Sequence, residues 1–292
     1  MDQSNHEQLA RLLTTGLMRL GDVSPQAIEG YLGSLRQLAP DQRLRAAAGH
    51  SRMAFSAFCA SLPSAAPNVP TSESLRVLAR ARYGSLPPAI EQLEPDYLPS
   101  IDEYDIARIA SPVGLALEAA GVRWCLSGSL ACCAFGEPRP IEELEFLVEV
   151  EEPMVPALVK HLGESFWASP ALLASAARSH STVSLFQLPF LLRVLLVDAR
   201  AGELAATALA RRVRVEGSCC GRMWLCSPED AVLRALVAWR DAEDHEEIFW
   251  RDLAMILAVQ GASLDPVHLD AQARRLEISE TLEEARAQAG RG

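Results

Sequence analysis

Leu9, Leu12, Leu13, Leu17 and Leu20 recur at the spacing of one helix face. Ser24-Pro25 reads as an N-cap followed by proline at the first helical position, and Ile28, Tyr31, Leu32 and Leu35 continue a second apolar stripe. A third helix is expected from about Pro40 to Cys59. The stretch 61–70 (SLPSAAPNVP) then has the composition of a linker. A helix follows at about 73–83, and a second proline-bearing stretch at 87–99. Residues 1–100 are therefore expected to be a helical region with proline-rich connections, packing as its own unit. That unit suits a contact with a protein partner or a second copy.

After Ser100 helix and strand patterns alternate. A helix is expected over 102–120, bent or split at Pro112. A short strand at 122–126 runs into a tight turn at Gly128-Ser129 and a helical run at 130–135. A loop at 136–140 leads to a second strand at 145–150, then a helix at 154–162. Strands at 182–188 and 191–197 flank a turn at Pro189. A helix at 203–210 and strands at 212–216 and 223–226 follow, and from about 228 the pattern is helical to the end. The order predicts an α+β fold: a small mixed sheet with a helical C-terminal subdomain, over 101–292.

Composition narrows the partners. The formal net charge of −11 argues against a general DNA or RNA binder, which would show a basic face. No apolar run reaches membrane-spanning length, because the stretch near 188–197 is broken by Pro189 and Arg193. Residues 1–8 are polar and lack the basic-then-apolar start of a signal peptide. The seven cysteines include no CxxC pair and read as small buried hydrophobes of a reducing, cytoplasmic protein.

Chemistry concentrates between residues 128 and 145. A glycine turn opening a helix lets backbone N–H groups approach a phosphate, and the helix start favours an anion. The chain then returns with Glu143 and Glu145, two positions apart and so on one face of a strand. Asp198 ends a separate apolar strand and completes a set of three carboxylates that could hold a divalent cation. Each residue also has a plain structural use: Asp198 as a turn cap, Glu143 and Glu145 as a solvated edge, Arg139 as a surface charge. Ser227 reads as the N-cap of a helix with Pro228 at its first position. The six histidines form no ligand pair, and no GxSxG or Walker loop occurs.

Gly128-Ser129, then Gly136, Pro138 and Arg139, then Glu143-Leu144-Glu145, resemble a run in nucleotidyltransferases of the DNA polymerase β superfamily. The resemblance is to those found among abortive-infection and toxin–antitoxin proteins. There the run reads Gly-Gly or Gly-Ser, an apolar helix, Gly-x-x-Arg-x-Thr, then Asp-Ile-Asp or Asp-Leu-Asp, and the spacing here matches without insertion. Ser227-Pro228-Glu229-Asp230, Asp252 in its apolar helix, and Leu264-Asp265 extend the likeness over 101–292. It implies transfer of a nucleoside monophosphate from a nucleoside triphosphate to a hydroxyl on a protein, RNA or small molecule. Glu143, Glu145 and Asp198 would hold Mg2+. Gly128 and Ser129 would hold the triphosphate, and Arg139 or Arg234 would offset its charge. The departures are specific: glutamates stand for both strand aspartates, Ile141 for the threonine and Arg234 for a lysine. An added methylene moves each carboxylate by about 1 Å, and a misplacement of that size can cost roughly a hundredfold in rate. The expectation is thus a weakened or silent enzyme, or a non-catalytic descendant serving as a binding or assembly module.

Overall fold

The computed structural model describes residues 25–61, 71–92, 100–217, 221–242 and 247–290. The helix expected from Leu9 to Leu20 lies outside these residues, as do 62–70 and 93–99, the greater part of both proline-bearing stretches.

Among the described residues the chain opens with α1 (Pro25–Gln37), α2 (Pro40–Ser61) and α3 (Ser72–Tyr83), with a single turn, α4 (Pro88–Glu91), after them. Then come α5 (Ile106–Ala119), β1 (Arg123–Ser127), α6 (Gly128–Phe135), β2 (Glu143–Glu149) and α7 (Val155–Leu162). They are followed by β3 (Phe166–Trp167), α8 (Pro170–Ser179), β4 (Val183–Gln187) and β5 (Leu192–Asp198). The last group is α9 (Glu203–Ala210), β6 (Val213–Gly217), β7 (Gly221–Leu225), α10 (Pro228–Asp241), α11 (Glu247–Gln260), α12 (Pro266–Arg275) and α13 (Ser279–Ala289). The strands form one seven-stranded sheet in the order β3-β4-β5-β2-β1-β7-β6. β2 runs parallel to β5 and β1 parallel to β7, while the other neighbours are antiparallel. The fold is α+β with a mixed sheet and a helical C-terminal part.

Strand pairing sorts the central side chains onto two faces. Trp124 and Leu126 lie level with Val148 and Phe146 on one face, and Cys125 and Ser127 with Leu147 and Glu145 on the other. α5 packs on the first face, where Gly114 lies against the Trp124 ring, and α6 and α10 pack on the second. Leu144, Phe146, Leu147 and Val148 of β2 are all buried, as expected of a central strand covered on both sides.

Two expectations need correction. The break expected at Pro112 falls earlier: a short 3-10 turn at Ile101–Glu103 precedes α5, which starts at an Asp105 cap and runs through Pro112. The Asp105 carboxylate accepts from the Ala107 and Arg108 N–H groups, which fixes the start there. The N-terminal helices, moreover, do not pack apart. Phe55 of α2 stacks on Tyr104 at 4.7 Å and meets Phe190 edge-on at 5.7 Å. The Ile141 N–H donates to Ser51 Oγ at 2.9 Å, and buried Arg43 donates to the Ala134 carbonyl at 2.9 Å. Small residues on one side of α2, Ala47, Ala48 and Ser51, let it approach α6 closely. The apolar side of α1, Leu32 and Leu35, is likewise covered by Met255 and Val259 of α11.

Candidate functional site

Ser127 ends β1, and Gly128 turns the chain into α6 with φ +56. That left-handed conformation favours glycine. A Cβ there would also lie 3.3 Å from Cβ of Glu145, so a larger residue would be crowded as well as strained. The Glu145 carboxylate lies beside the first residue of α6, where the helix dipole favours negative charge. The turn that a phosphate would approach is thus flanked by the protein's own carboxylate.

Each acidic residue of the strand is matched by arginine. Arg234, projecting from α10, donates from Nη2 to Glu145 at 2.7 Å and from Nε to buried Ser127 Oγ at 2.8 Å. Burial works against the Arg234 charge, but the Glu145 carboxylate more than offsets it and the guanidinium stays charged. Glu143 lies level with Arg193 of β5, which donates from Nε at 2.8 Å and from Nη2 at 2.5 Å. The Arg193 guanidinium also covers the Tyr83 ring at 4.5 Å. Tyr83, from α3, donates to the Glu142 carbonyl at 2.6 Å, so the N-terminal region closes over the acidic strand.

The structure brings Gly128, Ser129, Glu143, Glu145, Arg139 and Arg234 to one end of the sheet and leaves Asp198 away from them. Asp198 is level with Val148, three register positions beyond Glu145, or about 10 Å along the strand. By the pleat it also belongs to the opposite face. There it caps a turn: it accepts from the Arg200 backbone N–H at 2.8 Å, from the Arg200 side chain at 2.9 and 2.6 Å, and faces His180 Nδ1 at 3.2 Å. Burial pushes the Asp198 carboxyl up, but these donors outweigh it and hold it below the usual aspartate range. Among the described residues no group of three or more His, Cys, Asp or Glu is placed to hold a metal ion. With Glu143, Glu145 and Asp198 each engaged by arginine, the donor set does not fit a magnesium ion as it stands.

Arg139 is no surface charge. It grips Asp252 of α11 with two bonds of 2.8 and 2.6 Å and donates to Ser129 Oγ at 2.8 Å, with side chains only 12% and 7% exposed. Burial opposes the Arg139 charge, and Asp252 raises its pKa above the ordinary arginine value. Ser127, Arg193 and the partnership of Arg139 with Asp252 escape a reading of the sequence. Arg193 shows there only as a break in an apolar run, because nothing local reveals that it sits beside Glu143. Ser227 does cap α10, accepting from the Asp230 N–H at 3.1 Å.

No family model and no curated protein matches the chain. A solved structure to which it is similar is an antigenic nucleotidyltransferase-like protein from Paracoccidioides brasiliensis. The two are 15% identical, with a TM-score of 0.36, over 62% of this chain and 92% of that one. Among the described residues no helix is long and apolar enough to cross a membrane.

Proposed function

We propose that this chain is a nucleotidyltransferase-like protein that does not transfer nucleotides and serves as a binding or assembly module. The observation that carries this reading is the pairing of Arg234 with Glu145 beside Gly128. A magnesium-dependent transferase needs carboxylates free to ligate metal and a turn open to phosphate. Here an internal cation meets each strand carboxylate, and an internal anion lies at the turn. The ordered motif from Gly128 to Glu145 supports descent from a working site.

The test is magnesium-dependent incorporation of labelled nucleotide with cell extract as acceptor pool, beside calorimetric titration of ATP and GTP with and without magnesium. The expected result is no incorporation and no magnesium-dependent binding. Incorporation that disappears in Glu145→Ala would overturn the reading and establish an enzyme that displaces its own arginines.

A further inference from the structure

α1 lies along α11 in the same sense. Glu137 accepts from Tyr31 of α1 at 2.6 Å and from Arg251 of α11 at 2.7 and 2.9 Å. Further along both helices, Arg36 donates to the Ala258 carbonyl at 3.1 Å, and Leu32 and Leu35 cluster with Met255 and Val259. The start of α1 at Pro25 therefore lies at the same end of the bundle as the start of α11 at Glu247. Ile248 stands seven residues before Met255, so it continues the side of α11 that α1 covers. Ile248 and Phe249 are half-buried, and among the described residues neither packs against the buried core. Their neighbour Trp250 does pack there; it also donates to Gln288 of α13 at 2.5 Å and meets the Trp239 ring at 4.9 Å. Apolar side chains thus face outward where the chain enters α1.

What the chain carries before Pro25 sets the occupant. Residues 9–20 hold five leucines at helical spacing, and only the four residues 21–24 separate Leu20 from α1. Four residues suffice for a turn between antiparallel helices. Five leucines on one side of a helix need an apolar cover. We propose that residues 9–20 dock in cis on this end of the bundle, as a helix turned back along α1 and α11. Leu20 and Leu17, the leucines nearest the turn, then meet Ile248 and Phe249. A helix over these residues spans about 18 Å, close to the length of α1, so the remaining leucines stay within reach of the same two helices. None of these four contact residues belongs to the Glu145 site, so the outcome leaves the reading of that site untouched.

The test uses the full chain carrying Leu17→Cys with Phe249→Cys. The control pairs Leu17→Cys with Leu115→Cys, Leu115 being 62% exposed on α5. The described native cysteines are buried, which favours reaction of the introduced pair. After mild oxidation, peptide mapping should find a bond within one chain, at a yield several-fold above the control and independent of protein concentration. A yield no higher than the control would overturn the proposal. Bonds formed only between chains would overturn it too, by seating a second copy on this end. A second measurement needs no new cysteine. Leu13→Ser with Leu17→Ser, in a protein that still melts cooperatively, should speed hydrogen exchange several-fold at the N–H groups of 251–253, which close the first turn of α11, while β1 and β2 keep their protection. Unchanged exchange at 251–253 would count against docking as decisively as a missing cross-link.

Discussion

Glu145 carries more of the site than any other residue. It faces the Gly128 turn, meets Arg234 at 2.7 Å, and both partners of that pair are about one-fifth exposed. Removing one member of a buried pair strands the other charge, at a cost of 3–5 kcal/mol when burial is complete. With this partial exposure, Glu145→Ala should lose about 2 kcal/mol in urea unfolding. Replacing the stranded arginine as well, in Glu145→Ala with Arg234→Leu, should recover more than half of it. A double variant no more stable than the single one would mean that Arg234 is not the group left uncompensated. Gly128→Ala should cost about 1–2 kcal/mol, from the positive φ and the crowding against Glu145. Glu145→Asp shortens the reach to Arg234 but leaves the cation in place, so calorimetry should show no gain in magnesium affinity.

Between elements, the loop after α6 is clamped to α11 by two pairs of opposite sense. Glu137 accepts from Arg251 at 2.7 and 2.9 Å, and Arg139 donates to Asp252 at 2.8 and 2.6 Å. Adjacent residues on α11 therefore hold two points of one loop, and Arg139 carries the clamp on to Ser129 at the start of α6. Arg139→Gln leaves Asp252, 7% exposed, without its two-bond cationic partner, and should destabilise by about 3 kcal/mol. Hydrogen exchange should then speed up first in the N–H groups of the 136–141 loop and the first turn of α6. A uniform rise across all elements would mean the clamp is not local. By contrast, Ser227→Ala removes only a helix cap and should cost about 1 kcal/mol.

For the molecule as a whole, two buried carboxylates tie stability to pH. Burial pushes Asp198 and Glu229 up. Arg200 for the first, and the Asp265 N–H with further donors for the second, bring both below their usual values. A depressed folded pKa adds stability that is fully present above the unfolded value, about 3.9 for Asp and 4.3 for Glu. That stability is lost as pH falls through the lower folded values. Urea midpoints should therefore hold steady down to about pH 5 and decline below it. Asp198→Asn should flatten part of that decline, and an unchanged slope would remove Asp198 from the account. The described cysteines are all buried and free, and burial pushes Cys59 up to about 11 and Cys133 and Cys226 up to about 12. Peptide-mapped alkylation of the native protein at mildly alkaline pH should leave them unmodified until denaturant is added.

What the sequence determined by itself is what local physics controls. The apolar runs in β2 and β5, the glycine turn at 128, and the Ser227-Pro228 cap place most of the elements from α5 to α13 within a few residues, because each signal lies within a few positions of the structure it creates. β3 and α8 escaped, the one being only two residues long and the other marked by little beyond the Ser169-Pro170 start. The family resemblance assigned Glu143, Glu145 and Arg234 to one site, but as holders of metal and nucleotide and not as partners of one another. Only the tertiary structure decided what those charges do. The parallel register of β2 and β5 is set across the intervening α7, β3, α8 and β4, and it places Arg193 beside Glu143 while sending Asp198 to the far end and other face. The proline-rich connections tell of chain stiffness and turns, not of where α2 packs, and the fit of its small side chains against α6 put the N-terminal helices into the shared core. Residue type gives a charge its sign, but which charge it meets depends on contacts that form only when distant segments fold together.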